Sequence, residues 1–264
     1  MKTNPKILVW AVVLLFFFSI STYGQESKKQ LFVIHEDVVI PSMVSQYEKI
    51  SKNLVSQLKD HSVSEISEMC AMTNDFHYYY ITPVDNMAAL DDNPWKAVED
   101  KMGKEAFEKL WEGYADCYDV HSTYMLSFSP EDSYDPQSSK LMDSETLYRR
   151  WAYINIDPSK SEEGKKIVKE WKSLYEAKNI PTGYRTYWGG IGTEEPLLIV
   201  IEWAKDATAL AAQRAKVQEM LGEDAKDLRA RTLAVIRKYD VKEGTMRPDL
   251  SYMPEQVLAD QPDQ

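Results

Sequence analysis

The chain has 264 residues, of which 42 are acidic and 31 basic, for a net charge of −11. So acidic a surface repels nucleic-acid phosphates and anionic lipid headgroups, and neither is expected as a partner. The apolar share, 44%, is enough for a sizeable globular core.

Residues 1–24 read as an export signal. Lys2 and Lys6 form a short positive region, residues 7–18 are an unbroken apolar run, and Thr22 and Gly24 are small residues before a cut at Gln25. As a helix, such a run rises about 18 Å, short of the roughly 30 Å of a hydrocarbon core. The expected product is periplasmic or secreted, without a membrane partner after cleavage. Losing the two lysines takes its charge to −13.

Residues 31–40 (LFVIHEDVVI) are β-branched and apolar, and Pro41 ends them as a strand. From Ser42 the period changes. Met43, Tyr47, Ile50, Leu54 and Leu58 recur at helical spacing, and the helix frays near His61. Residues 66–73 and 77–82 read as strands joined by the turn Thr73-Asn74-Asp75. A helix follows from Pro94 to about Tyr118, broken at Gly103. Residues 123–128 form a further strand, and a polar stretch comes after it.

The same order then returns. Residues 149–156 are a strand and 162–178 a helix. Residues 183–188 and 197–203 are strands around a glycine-rich loop. Residues 207–236 are helical with Gly222 inside, and residues 239–242 are a short strand. Letters repeat with the elements. Pro130-x-x-Ser133-Tyr134-x-Pro136 matches Pro248-x-x-Ser251-Tyr252-x-Pro254, and Tyr118-Asp119-Val120 matches Tyr239-Asp240-Val241. Met102-Gly103 is echoed by Leu221-Gly222. The three offsets are 118, 121 and 119. Near-constant offsets indicate duplication. The expected organisation is a unit at 25–136, a linker at 137–148, a second unit at 149–254 and a polar tail at 255–264.

Each unit has the ferredoxin-like order βαββαβ. In element order and strand patterning the chain resembles the dimeric α+β-barrel superfamily, NIPSNAP-like and antibiotic-biosynthesis-monooxygenase-like proteins included. The resemblance implies an α+β fold of two tandem ferredoxin-like units forming an intrachain barrel, with a site between two sheets. It leaves the reaction open, because the superfamily mixes oxygenases, haem-degrading enzymes, isomerases and proteins without a known reaction.

The candidate site comes from strand alternation. Laying VIHED on YINID puts His35 opposite Asn155, and Trp151 and Tyr153 share the face of Asn155. In His77-Tyr78-Tyr79-Tyr80, alternation puts His77 and Tyr79 on one face. His35, His77, Tyr79, Trp151, Tyr153 and Asn155 are therefore the expected ligand-binding set, with His35, His77 and Tyr79 as acid–base candidates. His35 and Glu36 are neighbours on a strand and cannot chelate together, so no metal site is expected. The GGIG stretch leads from strand to strand and lacks a helix start for phosphate. His61 and His121 are expected singly in loops. Export permits a Cys70–Cys117 bridge, and two buried thiols are equally compatible. Three functions fit: a binder of a small apolar or aromatic molecule, a cofactor-independent oxygenase or isomerase, and an interaction protein with a filled interior. None calls for a cofactor, and the oligomeric state is open.

Overall fold

A computed structural model describes residues 30–139 and 142–254. The export signal assigned to 1–24 and the polar tail at 255–264 lie outside them. The strands are β1 (Leu31–Val39), β2 (Met69–Thr73), β3 (His77–Val84), β4 (Tyr118–Phe128), β5 (Tyr148–Ile156), β6 (Arg185–Gly189), β7 (Leu197–Ala204) and β8 (Ile236–Met246). The helices are α1 (Val44–Asp60), α2 (Pro94–Met102), α3 (Lys104–Trp111), α4 (Ser161–Ala177), α5 (Ala207–Leu221) and α6 (Lys226–Val235). None of the described helices is long and apolar enough to cross a membrane.

The eight strands close into one antiparallel barrel in the order β1-β3-β2-β8-β5-β7-β6-β4. This corrects the expectation of two ferredoxin-like units with a site between two sheets. There is one closed sheet and one interior. The reason lies at the strand edges. An open sheet would leave the backbone groups of β2, β4, β6 and β8 unpaired. Instead Ala71, Met72 and Thr73 pair with Met246, Thr245 and Gly244, and Leu126, Ser127 and Phe128 pair with Gly189, Trp188 and Tyr187. Gly244 makes the first seam sterically feasible. A Cβ there would lie 2.0 Å from the carbonyl oxygen of Met72.

Alternation sorts the side chains. Ile34, Ala71, Tyr79, Leu126, Trp151, Ile199 and Met246 fill the interior. Met142 and Leu147 pack against this cluster from the segment before β5. On the outside, α1 buries Tyr47, Ser51, Leu54, Val55 and Leu58. Over the other half, Ile167 and Val168 of α4 and Leu228 and Val235 of α6 cover Ile156 and Leu198. Gly103 ends α2 and begins α3 with a φ of +83°, a backbone state that favours glycine. Cys70 and Cys117 are buried free thiols.

β4 and β8 are longer than expected. Their first residues are largely exposed, so apolar patterning is missing there although the backbone is paired throughout. His121 therefore stands on a strand and not in a loop. The halves correspond through like irregularities, at Val38/Val39 in β1 and Asn155/Ile156 in β5. Each is followed by a short 3-10 turn, Pro41–Met43 and Pro158–Lys160. That register sets Ile34 against Trp151, His35 against Ala152, Glu36 against Tyr153 and Asp37 against Ile154.

Candidate functional site

One mouth of the barrel opens into a cleft of about 210 Å³. Its lining includes Glu36 of β1, Tyr79 of β3, Tyr124 of β4, Tyr153 and Asn155 of β5, and Lys242 of β8, with Thr193 and Glu194 from the β6–β7 loop at the rim. All six strand residues are there for one reason: each belongs to the inward-facing set of its strand.

The three tyrosines form the floor. The hydroxyl of Tyr153 interacts with those of Tyr79 and Tyr124, and Tyr124 also reaches Glu36. Burial pushes all three phenols well above the ordinary tyrosine range, and the nearby Glu36 charge adds to this. They stay protonated and can donate. A polar rim stands beside them. The Nδ1 of His77 donates to Glu36 Oε1 at 2.6 Å, and its Nε2 lies 3.4 Å from Asp75 Oδ2. Lys242 Nζ donates to the same Asp75 oxygen at 2.5 Å. Asn155 Nδ2 donates to the Glu194 carbonyl at 2.7 Å and ties the loop to β5.

Of the expected set, Tyr79, Tyr153 and Asn155 line the cleft. Trp151 faces inward and packs at a tilt against Tyr79 with ring centroids 6.1 Å apart, as part of the core beneath. His77 shares the inward face but has carboxylates at both ring nitrogens, so it orients Glu36 and does not face a ligand directly. His35 is on the opposite face, which corrects its expected place in the cleft beside Asn155. Its true counterpart is Ala152. Laying VIHED on YINID slips β1 by three residues against its paired register on β5, and any odd slip exchanges the faces of a strand. The repeated Pro41-Ser42 and Pro158-Ser159, 117 residues apart, carry the register that would have shown this. Glu36 and Tyr124 are the residues that sequence reasoning missed.

Outside the barrel, His35 joins a different group. Its Nδ1 lies 3.2 Å from Thr123 Oγ1, and its Nε2 lies 3.7 Å from Asp37 Oδ1. His121 Nδ1 lies 2.8 Å from the same Asp37 oxygen, and the two imidazole rings meet edge to face with centroids 4.1 Å apart. The buried Asp37 takes its second bond from Tyr47, whose hydroxyl donates at 2.5 Å. Burial lowers the pKa of His35, Asp37 raises it, and His121 lowers it again.

No protein-family profile and no curated protein matches the sequence. Solved structures do match the fold. An anthrone oxidase-like protein superposes with a TM-score of 0.55 at 11% identity, covering 84% of this chain and 92% of its own. A candidate monooxygenase from Fusobacterium nucleatum gives 0.53 at 11%, covering 86% and 99%. A candidate monooxygenase from Lactobacillus acidophilus NCFM gives 0.51 at 13%, covering 86% and 97%. At these identities the likeness is one of fold.

Proposed function

We propose that this chain is an exported protein, built by internal duplication, that binds a small planar aromatic molecule with a polar edge in the mouth of its barrel. The observation that carries the reading is the cleft itself: three tyrosines, Tyr79 buried and Tyr124 and Tyr153 half-buried, under a rim of Glu36, Asn155 and Lys242. Phenol rings give an apolar floor with fixed donors, and the rim charges select one polar edge. Export rests on the positive and apolar character of residues 1–18, and duplication on the letter matches at offsets of 118 and 119; the Tyr118 match to Tyr239 is three residues out of the paired register, in which Tyr118 corresponds to Ile236. The cleft is smaller than the roughly 300 Å³ at which drug-sized sites begin, so a one- or two-ring molecule fits best.

Titration with one- and two-ring phenols, naphthols among them, followed by fluorescence quenching of Trp151 and the tyrosines, tests this. Saturable quenching is expected, weakened about tenfold or more by Glu36→Gln, which removes one charged hydrogen-bond acceptor. If no phenol saturates the wild type, the binding reading is wrong.

A second reading, a cofactor-independent oxygenase or isomerase, is favoured by the Glu36–His77 contact. A carboxylate held by an imidazole and facing an aromatic cleft is placed to take a proton from a bound phenol or activated C–H. Two candidate monooxygenases and an anthrone oxidase-like protein share the fold. Oxygen uptake or isomer formation on a bound phenol, lost in Glu36→Gln, distinguishes it from simple binding.

A further inference from the structure

We infer that His35, Asp37 and His121 form a binding site for one divalent transition-metal ion of the zinc class, on the outer face of the barrel behind the cleft. The site is separate from the proposed ligand cleft and does not depend on it. The donor atoms lie within 4.8 Å of one another. An ion bound tetrahedrally at about 2.0–2.1 Å holds its ligand atoms about 3.3 Å apart. The two histidine-to-carboxylate distances, 3.7 and 2.8 Å, bracket that value, so small ring rotations suffice.

The surroundings are those of a supported ligand set. Thr123 Oγ1 can take the Nδ1 proton of His35, which leaves the Nε2 lone pair toward Asp37. Tyr47 holds the outer oxygen of Asp37 and leaves the inner one to the metal. A hydrogen bond behind each ligand is the usual way that ligand orientation is fixed. Tyr118 stacks on His121, with an interplanar angle of 26°. His121 would coordinate through Nδ1, the ring nitrogen that faces Asp37, and would carry its ring proton on Nε2.

Access and chemistry agree. The side chain of His121 is 49% exposed and that of His35 32%, while Asp37 is 6% exposed. Two imidazoles and one carboxylate with a solvent side make three protein ligands and an open position, the donor set of catalytic more than of closed structural zinc. The corresponding positions of the other half hold Ala152, Ile154 and Tyr239, so the cluster does not follow from the fold.

The test uses purified protein stripped with a chelator. Titration with Co²⁺, followed by visible absorption, is expected to give one equivalent of a ligand-field spectrum that Zn²⁺ abolishes. His121→Ala changes an exposed side chain and should weaken Co²⁺ binding at least about tenfold while leaving the melting temperature unchanged. His35→Ala should do the same, and His61→Ala, remote from the cluster, should have no effect. Should His35→Ala fail to fold, His121→Ala decides alone. Absence of a stoichiometric Co²⁺ spectrum in the wild type, or undiminished binding by His121→Ala, overturns the assignment. Either result would leave phenol binding in the cleft untouched.

Discussion

The two outer faces of the barrel occupy corresponding positions and are built from different chemistry. Over β1, Tyr47 donates to Asp37, Ser51 and Tyr80 share a hydrogen bond of 3.0 Å, and Tyr78 donates to Glu48, which also pairs with Arg247. Over β5 the corresponding residues are Gly164, Ile154, Val168, Val200, Leu198 and Lys165, and the layer between sheet and helix is apolar. One position shows the contrast best. Tyr47 is fully buried and reaches across to a carboxylate. At Gly164, even a Cβ would meet the Cδ1 of Ile156 at 2.9 Å. Helix and strand can thus be joined at a distance through hydrogen bonds, or closely through methyl groups. Burying polar groups costs desolvation that an apolar layer of the same volume avoids. The first half carries the costly version, and the proposed metal site lies on that same outer face.

Exchanging the residues tests this contrast. Tyr47→Gly, which places the second half's residue in the first, removes a fully buried aromatic and leaves Asp37 Oδ2 without its donor. We expect a loss of about 3–5 kcal/mol, read from urea unfolding. A loss below about 1 kcal/mol would mean that the polar layer is not tightly held. Gly164→Ala pushes a methyl into Ile156 and should cost about 1–3 kcal/mol by the same measurement. Were it neutral or stabilising, the close approach of α4 would be slack.

The smallest effect concerns pH. Burial pushes the Glu68 carboxyl up to about 7, against the weaker opposing pull of its bond from Thr82. A carboxyl whose pKa is raised on folding binds more protons in the folded state. Its favourable contribution is complete below about pH 4.5 and is lost as pH rises through about 7. Glu68→Gln should therefore raise the melting temperature by a few degrees at pH 8 and leave it unchanged at pH 4. An equal gain at both pH values would show that the gain does not come from the ionisation of Glu68.

Much of this molecule can be read from its letters, because alternation and helical spacing are local. Residues 31–40 announce β1, and Gly103 announces the break between α2 and α3. The closure of the barrel cannot be read in this way. It depends on β2 meeting β8, and nothing near Ala71 points to Met246. The site divides along the same line. Tyr79, Tyr153 and Asn155 follow from alternation within their own strands. Glu36 and Tyr124 need the register between β1, β4 and β5. The grouping of His35 with His121 needs both that register and the recognition that the exposed start of β4 is paired backbone.

The two short seams set the order in which such a chain can assemble. The pairings β1–β4 and β5–β8 each lie within one half, whereas the β2–β8 seam joins segments as far apart as Cys70 and Ser251, 181 residues distant along the chain. The entropy of closing so large a loop must be met by only three residue pairs and their neighbours. It falls steeply once each half is already compact, so the search for the seam belongs late in folding. Until then β2 and β8 present unpaired edges, and this transient species is the one most exposed to association with a second chain.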